Sequence, residues 1–369
     1  MGIEKISLGF DGDYYEGEVK DGKPNGFGTR YIDFKPQYRG YFYNGLAYGF
    51  GTSYTEEGHV LYEGMFEDDC FSGEGIVYYP NKQKMLEGVF AWDELVNGKV
   101  FSPEGWLQKE GMFQNQQLHG EGTIYNRSGH IKCKGIFYQN MLIGIHGTFD
   151  QNPFLENLGK WRGNVFSLQS DALQVKMQFV DGVQHGETVL AEVDGKVRAT
   201  FSFDQGKLFY QKRYINGQLE REGEVQEYDL NGHGKVYNLD GTLSYEGTMK
   251  NGKRHGRGRA ILNGDILTAE YEYDIQQGEG EVHNQEGRLV YKGFLLDELI
   301  DGEGTYYYED GTYFVGRMAF GFPQKGTYYN AKGQVIYQED RQQLDLTVIT
   351  SVYQSQDQGV VRRNKNKLS

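Results

Sequence analysis

Cysteine is nearly absent from this chain. Cys70 and Cys133 are the only thiols in 369 residues and share no Cys-x-x-Cys spacing, which excludes a disulfide framework and suits a reducing compartment. Proline is scarce at 6 residues, and the longest apolar runs, Ile76–Tyr79 and Val89–Trp92, are four residues long. A membrane-spanning helix needs roughly 20 such residues, so none is expected. The opening residues carry no apolar stretch, which predicts no secretory leader, and Ile6 stands where a myristoylation signal wants Ser or Thr. Positive charge is in deficit: 38 Lys and Arg against 52 Asp and Glu leave −14, which argues against a protein that wraps nucleic acid. Catalytic signatures are missing too. The chain has no dinucleotide or phosphate-binding glycine loop, no nucleophile elbow, no His-Glu-x-x-His and no EF-hand loop. His119, His146, His185, His233 and His255 recur in similar surroundings, but ligands on hairpins about 10 Å apart make a poor metal site. The chain therefore reads as non-enzymatic, with no catalytic residues, cofactor or metal.

Glycine and aromatics are abundant: 53 Gly, 29 Tyr, 22 Phe and 3 Trp. Each class occurs about once per seven residues, which fits neither collagen nor a flexible linker and leaves a turn-rich β protein. Aligning the chain on itself at a shift of 23 or 24 residues superposes most of it. The clearest copies run Tyr15-Glu-Gly17 to Gly26-Phe-Gly28, Tyr38-Arg-Gly40 to Gly49-Phe-Gly51, Tyr62-Glu-Gly64 to Gly73-Glu-Gly75, and Tyr245-Glu-Gly247 to Gly256-Arg-Gly258. The first glycine recurs at 17, 40, 64, 88, 111, 135 and 159, then at 223, 247, 293 and 316, with Ala269 standing in once.

Within a unit, residues 15–19 and 26–31 alternate with period two around a turn-rich loop, Lys20–Asn25, so each unit reads as a β-hairpin. Placing Val19 opposite Gly26 sets Gly17 opposite Gly28 and leaves a gap across which an aromatic ring can lie flat. The Val19 position is filled downstream by Phe42, Phe66, Phe90, Phe113, Phe137, Trp161, Phe179, Val225, Met249, Tyr271, Leu295 and Met318. That stripe reads first as a spine holding hairpin to hairpin, because a single repeat buries little surface alone. Residues Glu16, Glu63, Glu87, Glu110, Glu222, Glu246 and Glu270, interrupted by Arg39, Lys134 and Lys292, share one position and alternate away from the glycine face as an acidic ridge.

The recurring Tyr-x-Gly unit followed by Gly-x-Gly in phase resembles the MORN (membrane occupation and recognition nexus) repeat, whose pattern is YxGxWxxGxxxGxG. Phe, Met or Leu usually replaces the Trp, and Gly98 falls one position late. The resemblance implies an all-β fold: an elongated, twisted, single-layer antiparallel sheet of about thirteen tandem hairpins, some 24–26 strands, forming a rod or groove. Residues 1–13 would form an N-terminal cap, 14–149 and 221–333 regular repeats, 150–220 degenerate repeats with a bend, and 334–369 a polar tail or capping strand. Members of the family with a catalytic domain carry it as an appendage for which this chain has no room.

By similarity the chain is expected to be a cytoplasmic interaction scaffold, a structural subunit of a cytoskeletal or ciliary, radial-spoke-like assembly. The partner is expected to be a protein, an amphipathic helix laid in an aromatic-glycine groove lined by Tyr15, Phe42, Tyr62, Phe66, Phe90, Phe113, Phe137, Tyr245, Met249, Tyr291 and Leu295. Homodimerisation through open sheet ends is a further expectation. The alternative is a peripheral membrane adaptor reading anionic lipid through Lys250, Lys253, Arg254, His255, Arg257 and Arg259, with a second basic cluster at Arg362–Lys367. The run Leu344–Tyr353 would cap the last strand edge or dock a partner strand.

Overall fold

The computed structural model describes residues 3–340. Among them are 31 strands, in one antiparallel sheet of 13 and a second of 18, and in both the sheet order follows the chain order. The count exceeds the 24–26 expected because strands also form outside the counted units, at Ile3–Ser7 and Val335–Asp340 and in the irregular stretch at Gly186–Glu192, Val197–Asp204 and Lys207–Ile215. Residues 145–158 leave the ladder, save for a single bridge between Thr148 and Val183, through two short 3-10 turns at Phe149–Gln151 and Pro153–Asn157. By internal contacts the chain divides into two compact units. One runs through Val193 and takes in Phe203–Leu208; the other holds Asp194–Ser202 and the chain from Phe209 onward. The run Leu344–Tyr353 and the cluster Arg362–Lys367 lie outside the described residues.

The hairpin turns are tighter than the sequence suggests. In the first unit Lys20 pairs with Lys23, so only Asp21 and Gly22 form the turn, at φ 53° and 73°. Positive φ at both central residues is the type I′ geometry, whose twist matches that of the flanking strands, and Asn44-Gly45 and Asn251-Gly252 repeat it. Other repeats hold non-glycine pairs in this conformation, including Asp68-Asp69, Trp92-Asp93 and Tyr273-Asp274.

These second turn residues are tied to the preceding hairpin. The Asp93 amide donates to the Phe71 carbonyl at 3.2 Å while its carboxylate accepts from the Phe71 amide at 2.7 Å. Asp69 clamps Ala47, Asn140 clamps Leu118 and Asp274 clamps Arg254 in the same two-point way. Each clamp satisfies backbone groups of one repeat with a residue of the next, so the turns contribute to stacking as well as to chain reversal.

Register follows the glycines and then departs from simple alternation. Gly17 pairs with Gly28 as expected, but Val19 pairs with Pro24 and not with Gly26. Between those two pairs Glu18 alone faces Asn25–Phe27, and Gly26 takes φ 107°. The same irregularity recurs between Gly40 and Phe42, Gly64 and Phe66, Gly247 and Met249, and Gly293 and Leu295. A bulge leaves backbone groups without ladder partners. The repeat tyrosine supplies one: Tyr15 donates its hydroxyl to the Glu18 carbonyl at 2.9 Å, and Tyr38, Tyr62, Tyr245 and Tyr291 reach the matching carbonyls of Tyr41, Met65, Thr248 and Phe294 at 2.8–3.0 Å.

To make that bond the ring must lie across the paired glycines. A Cβ on Gly28 would stand 2.2 Å from the Tyr15 hydroxyl oxygen, and one on Gly17 would stand 2.4 Å from the Gly28 Cα. Glycine is required here by close approach. The rings then interlock edge to face between repeats, with centroids 4.8 Å apart for Tyr15 and Phe42, 4.7 Å for Tyr38 and Phe66, and 5.3 Å for Tyr62 and Phe90. Each such pair adds about 0.5–1.5 kcal/mol beyond the burial of its area.

Candidate interaction surface

The eleven side chains expected to line a groove are all buried by their own neighbours. Tyr15, Tyr62 and Tyr291 are 0% exposed, and Phe113, the most accessible, is 6% exposed; Phe42, Phe66, Phe90, Phe137, Tyr245, Met249 and Leu295 lie between. The physical reason is the geometry just described: the tyrosines fill the space over the glycines, and the Phe, Met and Leu of the stripe pack against the tyrosines of adjacent repeats. These side chains form the spine and leave no apolar surface for a partner.

The basic hairpin is also changed by its surroundings. Arg254 is directed into the spine side, where its guanidinium pairs with Glu298, stands 3.6 Å from Asp274 and lies over Tyr271 at 4.7 Å and Tyr245 at 5.6 Å. An arginine neutralised and stacked in this way is a packing residue, so its expected place in an exposed lipid-reading patch is corrected. Lys250, Lys253, Arg257 and Arg259 are exposed and His255 is half-buried beside Tyr273, but Arg257 pairs across the ladder with Glu270 and Arg259 with Glu246.

The acidic ridge lies on the face opposite the spine. Several of its carboxylates accept hydroxyls from a tyrosine on the next strand, two residues along from the direct ladder partner: Glu222 from Tyr237 at 2.6 Å, Glu63 from Tyr78 at 3.4 Å, and Glu110 from Tyr125. Burial, reinforced by Glu110, pushes the Tyr125 hydroxyl up to about 12. Elsewhere the ridge carries cross-strand ion pairs, Lys235 with Glu246 at 3.5 Å and Lys292 with Glu281 at 3.0 Å. Exposed pairs of this kind add solubility and little stability.

One stretch of this outer face differs in chemistry. Across the four strands Lys23–Ile32, Lys35–Tyr43, Leu46–Tyr54 and Val60–Glu67 it presents Phe27, Tyr41, Tyr43, Tyr48, Phe50 and Met65, each between 41% and 58% exposed. Phe27 pairs with Tyr41 and Phe50 with Met65; the Phe27 and Tyr41 rings are 5.5 Å apart, and the Arg39 guanidinium lies 5.8 Å from the Phe27 ring. Phe27 and Phe50 are the middle residues of Gly-x-Gly, a position that later repeats fill with Glu74, Glu121, His233, Arg257, Glu279 and Glu303. Sequence reasoning passed over these residues because it followed the glycines and the inward stripe. The signal was present in the contrast between Gly-Phe-Gly and Gly-Glu-Gly.

No cluster of three or more His, Cys, Asp or Glu side chains suited to a metal ion occurs among the described residues. Nor is any helix among them long and apolar enough to cross a membrane.

A family model for the MORN repeat matches residues 15–32, 62–84, 245–261 and 291–313. The chain carries MORN repeats. The matched segments each coincide with a Tyr-on-glycine hairpin, those of Tyr15, Tyr62, Tyr245 and Tyr291, and the hairpin of Tyr38 makes the same bond outside any matched segment. No curated protein matches this sequence. Among solved structures, one similar chain comes from a crystal structure of accessory secretory protein 1, 2 and 3 in Streptococcus pneumoniae, at 12% identity and a TM-score of 0.15, covering 36% of this chain and 22% of that one. A likeness that slight says nothing about how this MORN-repeat chain folds or acts.

Proposed function

We propose that this chain is a non-catalytic scaffold that binds a protein partner on the outer face of its first hairpins. One observation carries the reading: six large apolar side chains stand exposed together at Phe27, Tyr41, Tyr43, Tyr48, Phe50 and Met65, and two of them, Phe27 and Phe50, hold the Gly-x-Gly position where later repeats place Glu, Arg or His. Contiguous exposed apolar surface on a soluble fold marks a contact site. The setting we propose, a cytoskeletal or ciliary assembly, rests on resemblance to other repeat proteins of this kind. Membrane adaptation is the weaker reading, because Arg254 is withdrawn from the basic hairpin and Glu246 and Glu270 flank what remains.

The test is a pull-down from native extract with the full chain, divided into cytoskeletal, membrane and soluble fractions and read by mass spectrometry. Recovery of a protein with the cytoskeletal fraction, lost with Phe50→Glu, supports the scaffold. Retention on anionic membranes that disappears when Lys253, Arg257 and Arg259 are neutralised replaces it with the lipid reading.

A further inference from the structure

The exposed aromatic row has a sequence of its own when followed across the ladder. Glu18 stands at the bulge beside Phe27; Phe27 pairs with Tyr41; Tyr41 neighbours Phe50 where that hairpin bulges; Phe50 pairs with Met65; and Glu74, the next outward residue of this row, pairs onward with Val89. One row over, Glu16 pairs with Thr29, Thr29 with Arg39, Arg39 with Thr52 and Thr52 with Glu63. The row thus carries a carboxylate at each end of its apolar centre, with Arg39 beside it.

We infer that this row takes one amphipathic helix of a protein partner, with an apolar stripe at its middle and basic residues toward both ends. The inference rests on the scaffold reading above and names the partner's chemistry. Four arguments lead to it. The strands concerned are interior to the sheet, paired on both sides, so an extended peptide gains no backbone hydrogen bonds there, whereas a helix arrives with its own backbone satisfied. Four adjacent strands span about 14 Å between Phe27 and Met65, which matches the length of about nine helical residues. The carboxylates of Glu18 and Glu74 lie five strand spacings apart, about 24 Å, so cations about 16 residues apart on a helix reach both. Finally, the same carboxylates oppose the other occupants of an apolar face. A second copy brings its own acidic row against this one, and an anionic bilayer is repelled.

The experiment selects from a display library of random peptides about 20 residues long on the full chain, and counter-selects on the Phe50→Glu variant. Expected are peptides of net positive charge with apolar residues at helical spacing, binding at least about tenfold more weakly to Phe50→Glu and to Glu18→Lys/Glu74→Lys. Both variants alter solvent-facing side chains, and an unchanged melting temperature and circular dichroism spectrum establish that they are folded. The charge-reversed pair should instead enrich acidic peptides. Peptides indifferent to Phe50→Glu, or acidic peptides on the unaltered chain, overturn the inference. So does concentration-dependent self-association, or sedimentation with phosphatidylserine vesicles, that Phe50→Glu abolishes. If the pull-down recovers a protein partner while the selection yields only indifferent peptides, this inference fails and the scaffold stands.

Discussion

At the scale of single residues, the repeat tyrosine carries the most consequence. Its ring occupies space that exists only because two glycines face each other, and its hydroxyl closes a bulge that the ladder leaves open. Tyr62→Phe keeps the ring and removes the donor to the Met65 carbonyl. Losing a hydrogen bond to a partly buried backbone acceptor costs about 1 kcal/mol, so urea denaturation should show a loss of that order, and an unchanged midpoint would show the carbonyl to be solvated. The same hydroxyls predict an alkaline limit. Burial first, and nearby carboxylates second, push Tyr15 and Tyr62 up to about 12 from the ordinary 10.0. Burial likewise holds Tyr245 up at about 12. The folded state binds these protons more tightly than the unfolded state does. Their contribution is therefore complete below about pH 10, and it is lost as pH rises through the folded values near 12. The ring NMR signals of Tyr15, Tyr62 and Tyr245 should report ionisation only together with unfolding above pH 10; titration of any of the three in an intact fold would contradict the burial.

At the scale of the hairpin, the glycine-to-glycine pairing was legible in the sequence, because period-two alternation and the absence of a side chain are local facts. The bulge was not. Once Glu18 faces three residues, every position beyond it is displaced from simple counting, and Val19 meets Pro24. Nor was the clamp by the second turn residue visible, since Asp69, Asp93, Asn140 and Asp274 look like ordinary turn formers until the next hairpin is in place. The clamp makes a local prediction. Asp93→Ala removes the carboxylate that accepts from the Phe71 amide, and the cost should be about 1 kcal/mol. Amide exchange should accelerate at Phe71 and its neighbours while the hairpin of Tyr15 keeps its protection; a uniform acceleration would mean that the repeats do not open separately.

At the scale of the whole chain, what the sequence could not show was which face stays open. The inward stripe and the outward row are both aromatic, and only packing decides that Phe42 and Phe66 are covered while Phe50 is not. Arg254 makes the same point, since its carboxylate partner Glu298 comes from two hairpins further along the chain. Hairpins that stack mainly on their neighbours behave as a nearly one-dimensional array, in which stability is a sum of local and nearest-neighbour terms. Phe66 touches Tyr38 and Tyr62 and is 4% exposed, so truncating it to Ala removes contacts with its own and the preceding hairpin, at about 3–5 kcal/mol. In a globular domain such a loss would lower protection everywhere. Here it should remove protection across the hairpins of Tyr38 and Tyr62 and leave exchange in the strands from Asp229 to Tyr307 unchanged, as read by hydrogen exchange of the full-length variant. Loss of protection throughout would show that the array unfolds as one cooperative block, and that the repeats are joined by more than nearest-neighbour contacts.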